Sequence, residues 1–106
     1  SKQYRQSKLL FGLKKIYDSE VIQIIEQSNP RCIILFGSFA KAEYDKESDI
    51  DLFVQASEQI FDLTKYEKIL KHKIDIIFEP RIDKLSKELL NSIINGIKLS
   101  GYLMIK

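Results

Sequence analysis

Three short apolar runs divide the chain: Ile33-Ile34-Leu35-Phe36, Ile50 to Val54 and Ile74 to Phe78. Each has strand length and is bounded by turn or charged residues, which predicts strands over 31–36, 50–54 and 74–78. The segments between them follow a helical period instead. Leu9, Leu10, Leu13, Ile16 and Tyr17 lie at three-and-four spacing and predict an amphipathic helix over 4–17, although Gly12 within it weakens the pattern. Ser19 followed by Glu20 predicts a capped helix start, with Val21, Ile22, Ile24 and Ile25 carrying the helix to about Ser28 before Asn29-Pro30 breaks it. A third helix is predicted from an Asp62 cap to about Lys71, with Leu63, Tyr66, Ile69 and Leu70 inward. A fourth spans roughly 84–95, its buried stripe formed by Leu85, Leu89, Leu90, Ile93 and Ile94, and 97–105 adds a terminal strand or extended tail. Helices alternating with strands read as an α/β (α+β) fold, a small mixed β-sheet backed by helices on one face.

Two aspartates interrupt this pattern where apolar residues belong. Asp49 and Asp51 flank the second strand's start, and residues i and i+2 of a strand share a face. Like charges that close repel, and a fold retains them where a cation lies between. Oxygen ligands of this kind suit Mg²⁺, which takes one or two carboxylates and completes its shell with water and substrate phosphate. Asp75 interrupts the third strand in the same way. Ahead of these, Gly37-Ser38 follows the first strand directly: Gly37 permits a sharp turn and close backbone approach, and Ser38 is placed to open a short helix over 38–43 whose N–H groups face an anion. Taken singly, each feature has a plainer reading. An Asp-x-Asp pair is a common capping device, a Gly-Ser pair occurs in any turn, and Asp75 alone reads as a solvated edge residue.

Together, Gly37-Ser38, ten intervening residues and Asp49-Ile50-Asp51 resemble the signature of the polymerase-β-like nucleotidyltransferases. Leu-Phe-Gly-Ser-Phe-Ala and Ser-Asp-Ile-Asp-Leu are similar to the stand-alone branch called minimal nucleotidyltransferases, whose members pair as antitoxins with HEPN-type RNases. The resemblance implies catalytic and metal-ligating roles for Asp49, Asp51 and Asp75. It implies nucleotide binding by Gly37, Ser38 and Lys41, with two Mg²⁺ ions as cofactor and ATP as substrate. Lys41 and Ala42 stand where the family usually has Arg-Gly: Lys41 keeps the charge without the planar fork, and Ala42 is expected to need ordinary backbone angles. The implied activity is transfer of AMP from ATP to a hydroxyl, on a HEPN-type toxin or, as runner-up, on a small molecule such as an aminoglycoside. The alternatives are a non-catalytic antitoxin acting by occlusion, and a nucleotide-sensing regulator joined to a DNA-binding domain.

Composition changes this picture little. With 106 residues, 44% hydrophobic and 30% charged, the chain reads as one nucleotidyltransferase domain over 1–106. The basic helix near the start (Lys2, Arg5, Lys8, Lys14, Lys15) reads as a solvated face, or as a link over 1–17 from an upstream helix-turn-helix domain such as some relatives carry. A formal net charge of +2 does not argue for direct nucleic-acid or membrane binding. No apolar run approaches the ~18 residues of a membrane span, no signal peptide is visible, and Cys32 has no partner for a disulfide, so a cytoplasmic setting is expected. Cys32 reads as a buried small hydrophobe, His72 as an exposed residue without a partner, Tyr44 as a partly buried loop residue or a base-stacking one, and Lys46 as a loop charge. Homo-oligomerisation is left open.

Overall fold

β1 (Cys32–Phe36) lies at the centre of the fold because it is apolar on both faces, and both faces are covered. The computed structural model describes residues 1–105. β1 pairs antiparallel with β2 (Ile50–Val54) on one side and with β4 (Ile97–Gly101) on the other. β3 (Ile74–Phe78) joins β2 in parallel, giving a four-stranded mixed sheet in the order β3-β2-β1-β4. The strand-to-strand connection of β2 to β3 passes through α3 (Thr64–Leu70), as a parallel pair requires.

Side-chain alternation divides the core in two. Ile33 and Leu35 of β1, Ile50, Leu52 and Val54 of β2 and Ile74 of β3 face α1 (Lys2–Asp18), α2 (Val21–Glu26) and α3. Cys32, Ile34 and Phe53 face the other way, against Ile82 of a 3₁₀ turn (Ile82–Lys84) and Ile93 of α4 (Lys87–Ile94). Helices therefore cover both faces of the sheet rather than the one face expected. The fourth predicted helix is split: the 3₁₀ turn stops at Lys84, and Ser86 caps α4 by accepting from Leu89 N–H at 3.1 Å.

Several periodic positions point outward. Leu10, Ile69 and Ile94 are 65%, 52% and 60% exposed. On α1 the inward edge is set by Gly12 together with the expected Ile16. Gly12 is there because Tyr44 lies against it: a Cβ at Gly12 would sit 3.1 Å from the Tyr44 hydroxyl oxygen. Tyr44 stacks on Phe39 with ring centroids 4.0 Å apart and donates its hydroxyl to the Lys8 carbonyl at 2.7 Å. It is thus a tie between the loop and α1, with its ring engaged inside the protein. Ser19 does not cap α2 in the expected manner. It ends α1, donating its hydroxyl to Ile16 O at 2.6 Å and accepting from Val21 N–H at 3.2 Å, while Glu20 turns the chain in a left-handed conformation at φ 72°. Cys32 is fully buried, as expected of a small apolar residue. Among the described residues no helix is long and apolar enough to cross a membrane.

Candidate active site

Asp51 and Asp75 are register partners across the parallel β2–β3 pair, so their α-carbons sit one strand spacing apart, about 4.8 Å. Both side chains leave the sheet on the face that carries Phe53 and Ile77, the α4 side. Asp49 immediately precedes β2, close enough for its charge to act on Asp51. The backbone aligns the pair: Ile50 N–H donates to Lys73 O at 2.8 Å, where β2 and β3 begin. Asp51 is half-buried, and Asp49 and Asp75 are exposed. Burial, followed by the negative charges of Asp75 and Asp49, pushes the Asp51 carboxyl pKa up from its ordinary value. The ion pairs among the described residues, Lys14–Asp18 and Arg81–Asp83, leave all three carboxylates without a basic partner.

The turn after β1 abuts this cluster. Gly37 is at φ 74°, and a Cβ built there would overlap the Asp51 carboxylate oxygen Oδ2. Only glycine meets both demands, so turn and carboxylate are fitted to each other. The helix expected over 38–43 does not form. Lys41 N–H donates to Gly37 O, Ala42 N–H to Phe39 O and Glu43 N–H to Ser38 O, at 3.2, 3.3 and 2.8 Å, which closes one irregular turn. Ala42 ends it at φ 58°, a left-handed conformation. The expectation of ordinary angles at Ala42 is therefore overturned: the turn keeps the shape glycine would favour and alanine carries the strain. The amides of Ser38, Phe39 and Ala40 donate to no backbone acceptor among the described residues. Successive free amides in a tight turn form an anion-binding nest.

His72 is not the solitary exposed residue that its lysine neighbours suggest. It is half-buried, its ring meets Phe39 edge-on at 4.9 Å, and its Nδ1–H donates to the Ser48 carbonyl at 2.6 Å. That bond fixes the backbone one residue before Asp49. A contact spanning 24 residues leaves no local sequence signal.

Between the Gly37 turn and α4 lies a cleft of about 160 Å³. Gly37, Ala40 and Lys41 form one wall; Asn91, Ser92, Asn95 and Gly96 form the other. Sequence reasoning had no reason to single out the Asn91–Asn95 turn, whose polar residues look like the solvated side of a helix. A more open basin of about 340 Å³ on the α3 side collects Lys68, Lys71 and Lys73 and holds none of the three aspartates.

The structure thus brings Gly37, Ser38 and Lys41 together on one turn, and Asp51 and Asp75 onto one sheet face beside it, with Asp49 just ahead of β2. Among the described residues no group of three His, Cys, Asp or Glu side chains converges closely enough to enclose a metal ion by itself. The donor set fits Mg²⁺ in its open form, a small number of carboxylates with remaining positions left to water and phosphate. The unneutralised charge on Asp51 is the feature that a cation would relieve.

Free turn amides beside carboxylates at the starts of adjacent strands are an arrangement suited to phosphoryl-linked groups. The chain belongs to the family described as "Polymerase beta, Nucleotidyltransferase", which matches residues 19–100. It is a minimal nucleotidyltransferase of the polymerase-β-like superfamily. It is similar to three Methanocaldococcus jannaschii proteins, each named "putative protein adenylyltransferase". One is 32% identical over 93 residues, covering 82% of this chain and 90% of its own length. The second is 34% identical over 83 residues, covering 71% and 83%, and the third 34% identical over 76 residues, covering 66% and 88%.

Proposed function

We propose that this nucleotidyltransferase is a Mg²⁺-dependent protein adenylyltransferase, moving AMP from ATP to a hydroxyl of a partner protein. The observation that carries the reading is the Asp51 carboxylate, with its register partner Asp75, set against the Gly37 turn whose next three amides are free. Phosphoryl-group transfer asks little covalent chemistry of a protein; it asks for aligned reactants and neutralised charge. Gly37 and Ser38, with Lys41 beside them, bind the β- and γ-phosphates of ATP. Asp49 and Asp51, joined by Asp75, would hold Mg²⁺, which when bound supplies neutralisation of the triphosphate charge. Asp75, on the exposed edge strand, accepts the proton of the incoming hydroxyl. The acceptor oxygen forms a bond to the α-phosphorus, the bond from that phosphorus to the oxygen bridging to the β-phosphate breaks, and pyrophosphate leaves.

A protein acceptor is favoured by the names of the relatives, and AMP as the transferred group by the same names. A tyrosine of a HEPN-type RNase toxin, in the cytoplasm, is the acceptor that the motif resemblance favours. Mass spectrometry of such a partner after incubation with the enzyme, ATP and Mg²⁺ tests this: one AMP adduct on the partner, absent when EDTA is added, is the expected result. A partner that binds the enzyme yet gains no adduct would leave occlusion as the mode of action.

A further inference from the structure

The two walls of the cleft beside the Gly37 turn differ in chemistry. Lys41 makes one wall cationic, with the free Ala40 amide beside it, which suits phosphate. The other wall, the last turn of α4 with Asn91 and Asn95, carries no formal charge. It is also a helix C-terminus, whose partial negative charge disfavours an anion. A neutral group rich in hydrogen-bonding atoms belongs there, and in a nucleoside triphosphate that group is the nucleoside.

The two carboxamides orient one another. Asn95 Nδ2 donates to the Asn91 main-chain oxygen at 2.9 Å and to Asn91 Oδ1 at 3.3 Å. A nitrogen facing two oxygens sets which end of each amide points where. What remains outward is the Asn91 Nδ2 amide as donor and Asn95 Oδ1 as acceptor, neither bonded elsewhere among the described residues. Adenine offers the complementary pair on its Hoogsteen edge, an N7 acceptor beside an N6 donor, whereas guanine offers two acceptors there.

We propose that Asn91 and Asn95 form the adenine subsite and select ATP over GTP as donor. This rests on the nucleotidyl-transfer reading, which by itself requires no particular base. The test is calorimetric titration of the full chain with ATP, GTP and inorganic tripolyphosphate in Mg²⁺, for wild type, Asn91→Ala and Asn95→Ala. Both positions are exposed, and circular dichroism checks that each variant is folded. Wild type should prefer ATP over GTP by about tenfold; Asn95→Ala should lose about tenfold for ATP with GTP unchanged, Asn91→Ala should weaken both nucleotides because both bases carry N7, and tripolyphosphate binding should stay unchanged in both variants. Variants that keep wild-type affinity and preference for ATP would overturn the subsite, as would a wild type that binds all three ligands without preference; both results leave the transfer reading intact. A wild type that binds neither ATP nor tripolyphosphate would overturn both.

Discussion

Asp51 bears the cost of the site. Its carboxyl is half-buried beneath Gly37 and faces the charges of Asp75 and Asp49, and its pKa is raised in consequence. Between the ordinary value of 3.8 and the raised one, the folded state binds more proton than the unfolded state, so stability falls as pH rises through that window. Asp51→Asn stays neutral throughout and escapes this fall. Thermal melts should show the variant above wild type at about pH 7 and nearer to it at about pH 4. A gap of equal size at both values would mean that the charge on Asp51 is not the cause. Ala42 carries a second strain. At φ 58° its Cβ crowds the backbone, and Ala42→Gly should raise stability by about 1 kcal/mol in denaturant titrations. An unchanged or lower midpoint would show that the turn accommodates alanine without strain.

At the scale of elements, the strands were legible and the turn was not. Short segments dominated by Ile, Leu, Val and Phe announce strands whatever surrounds them, and the two-residue period predicts Asp49 and Asp51 on one face. That Asp75 stands directly opposite Asp51 needed the β2–β3 register, which no local pattern encodes. The helix expected over 38–43 failed because Glu43 bonds back to Ser38 and Ala42 turns left-handed, closing the segment after one turn. His72 departs from its expected exposure, and Tyr44, partly buried as expected, gains a role as a tie, for a common reason: each is held by a residue more than 20 positions away, Ser48 and Lys8. Tyr44 joins the loop to α1 through its hydroxyl, so Tyr44→Phe, which keeps the ring stack on Phe39, should cost about 1 kcal/mol and lower the melting temperature by a few degrees. A melting temperature equal to wild type would show that α1 docks through packing alone.

Across the whole molecule, the sheet order puts chemistry at one end and closure at the other. β3-β2-β1 brings Asp75, Asp51 and the Gly37 turn into adjacent positions, since the end of β1 lies beside the starts of β2 and β3. α4 closes over the same face and supplies the second wall of the cleft. Away from the site, the fully buried Gln55 donates to Pro80 O at 3.1 Å and Met104 O at 2.7 Å and accepts from Met104 N–H at 2.7 Å, tying the segment after β4 to the centre of the sheet. In the proposed mechanism Asp49, Asp51 and Asp75 carry nucleotidyl transfer from ATP. It is tested most directly by single-turnover transfer of label from α-labelled ATP to the acceptor protein in Mg²⁺, comparing wild type with Asp49→Ala/Asp51→Ala and with Asp75→Ala. Label should appear on the acceptor with wild type, with a loss of about 10³-fold or more in both variants while they stay folded. Label transferred at the wild-type rate by either variant would contradict it.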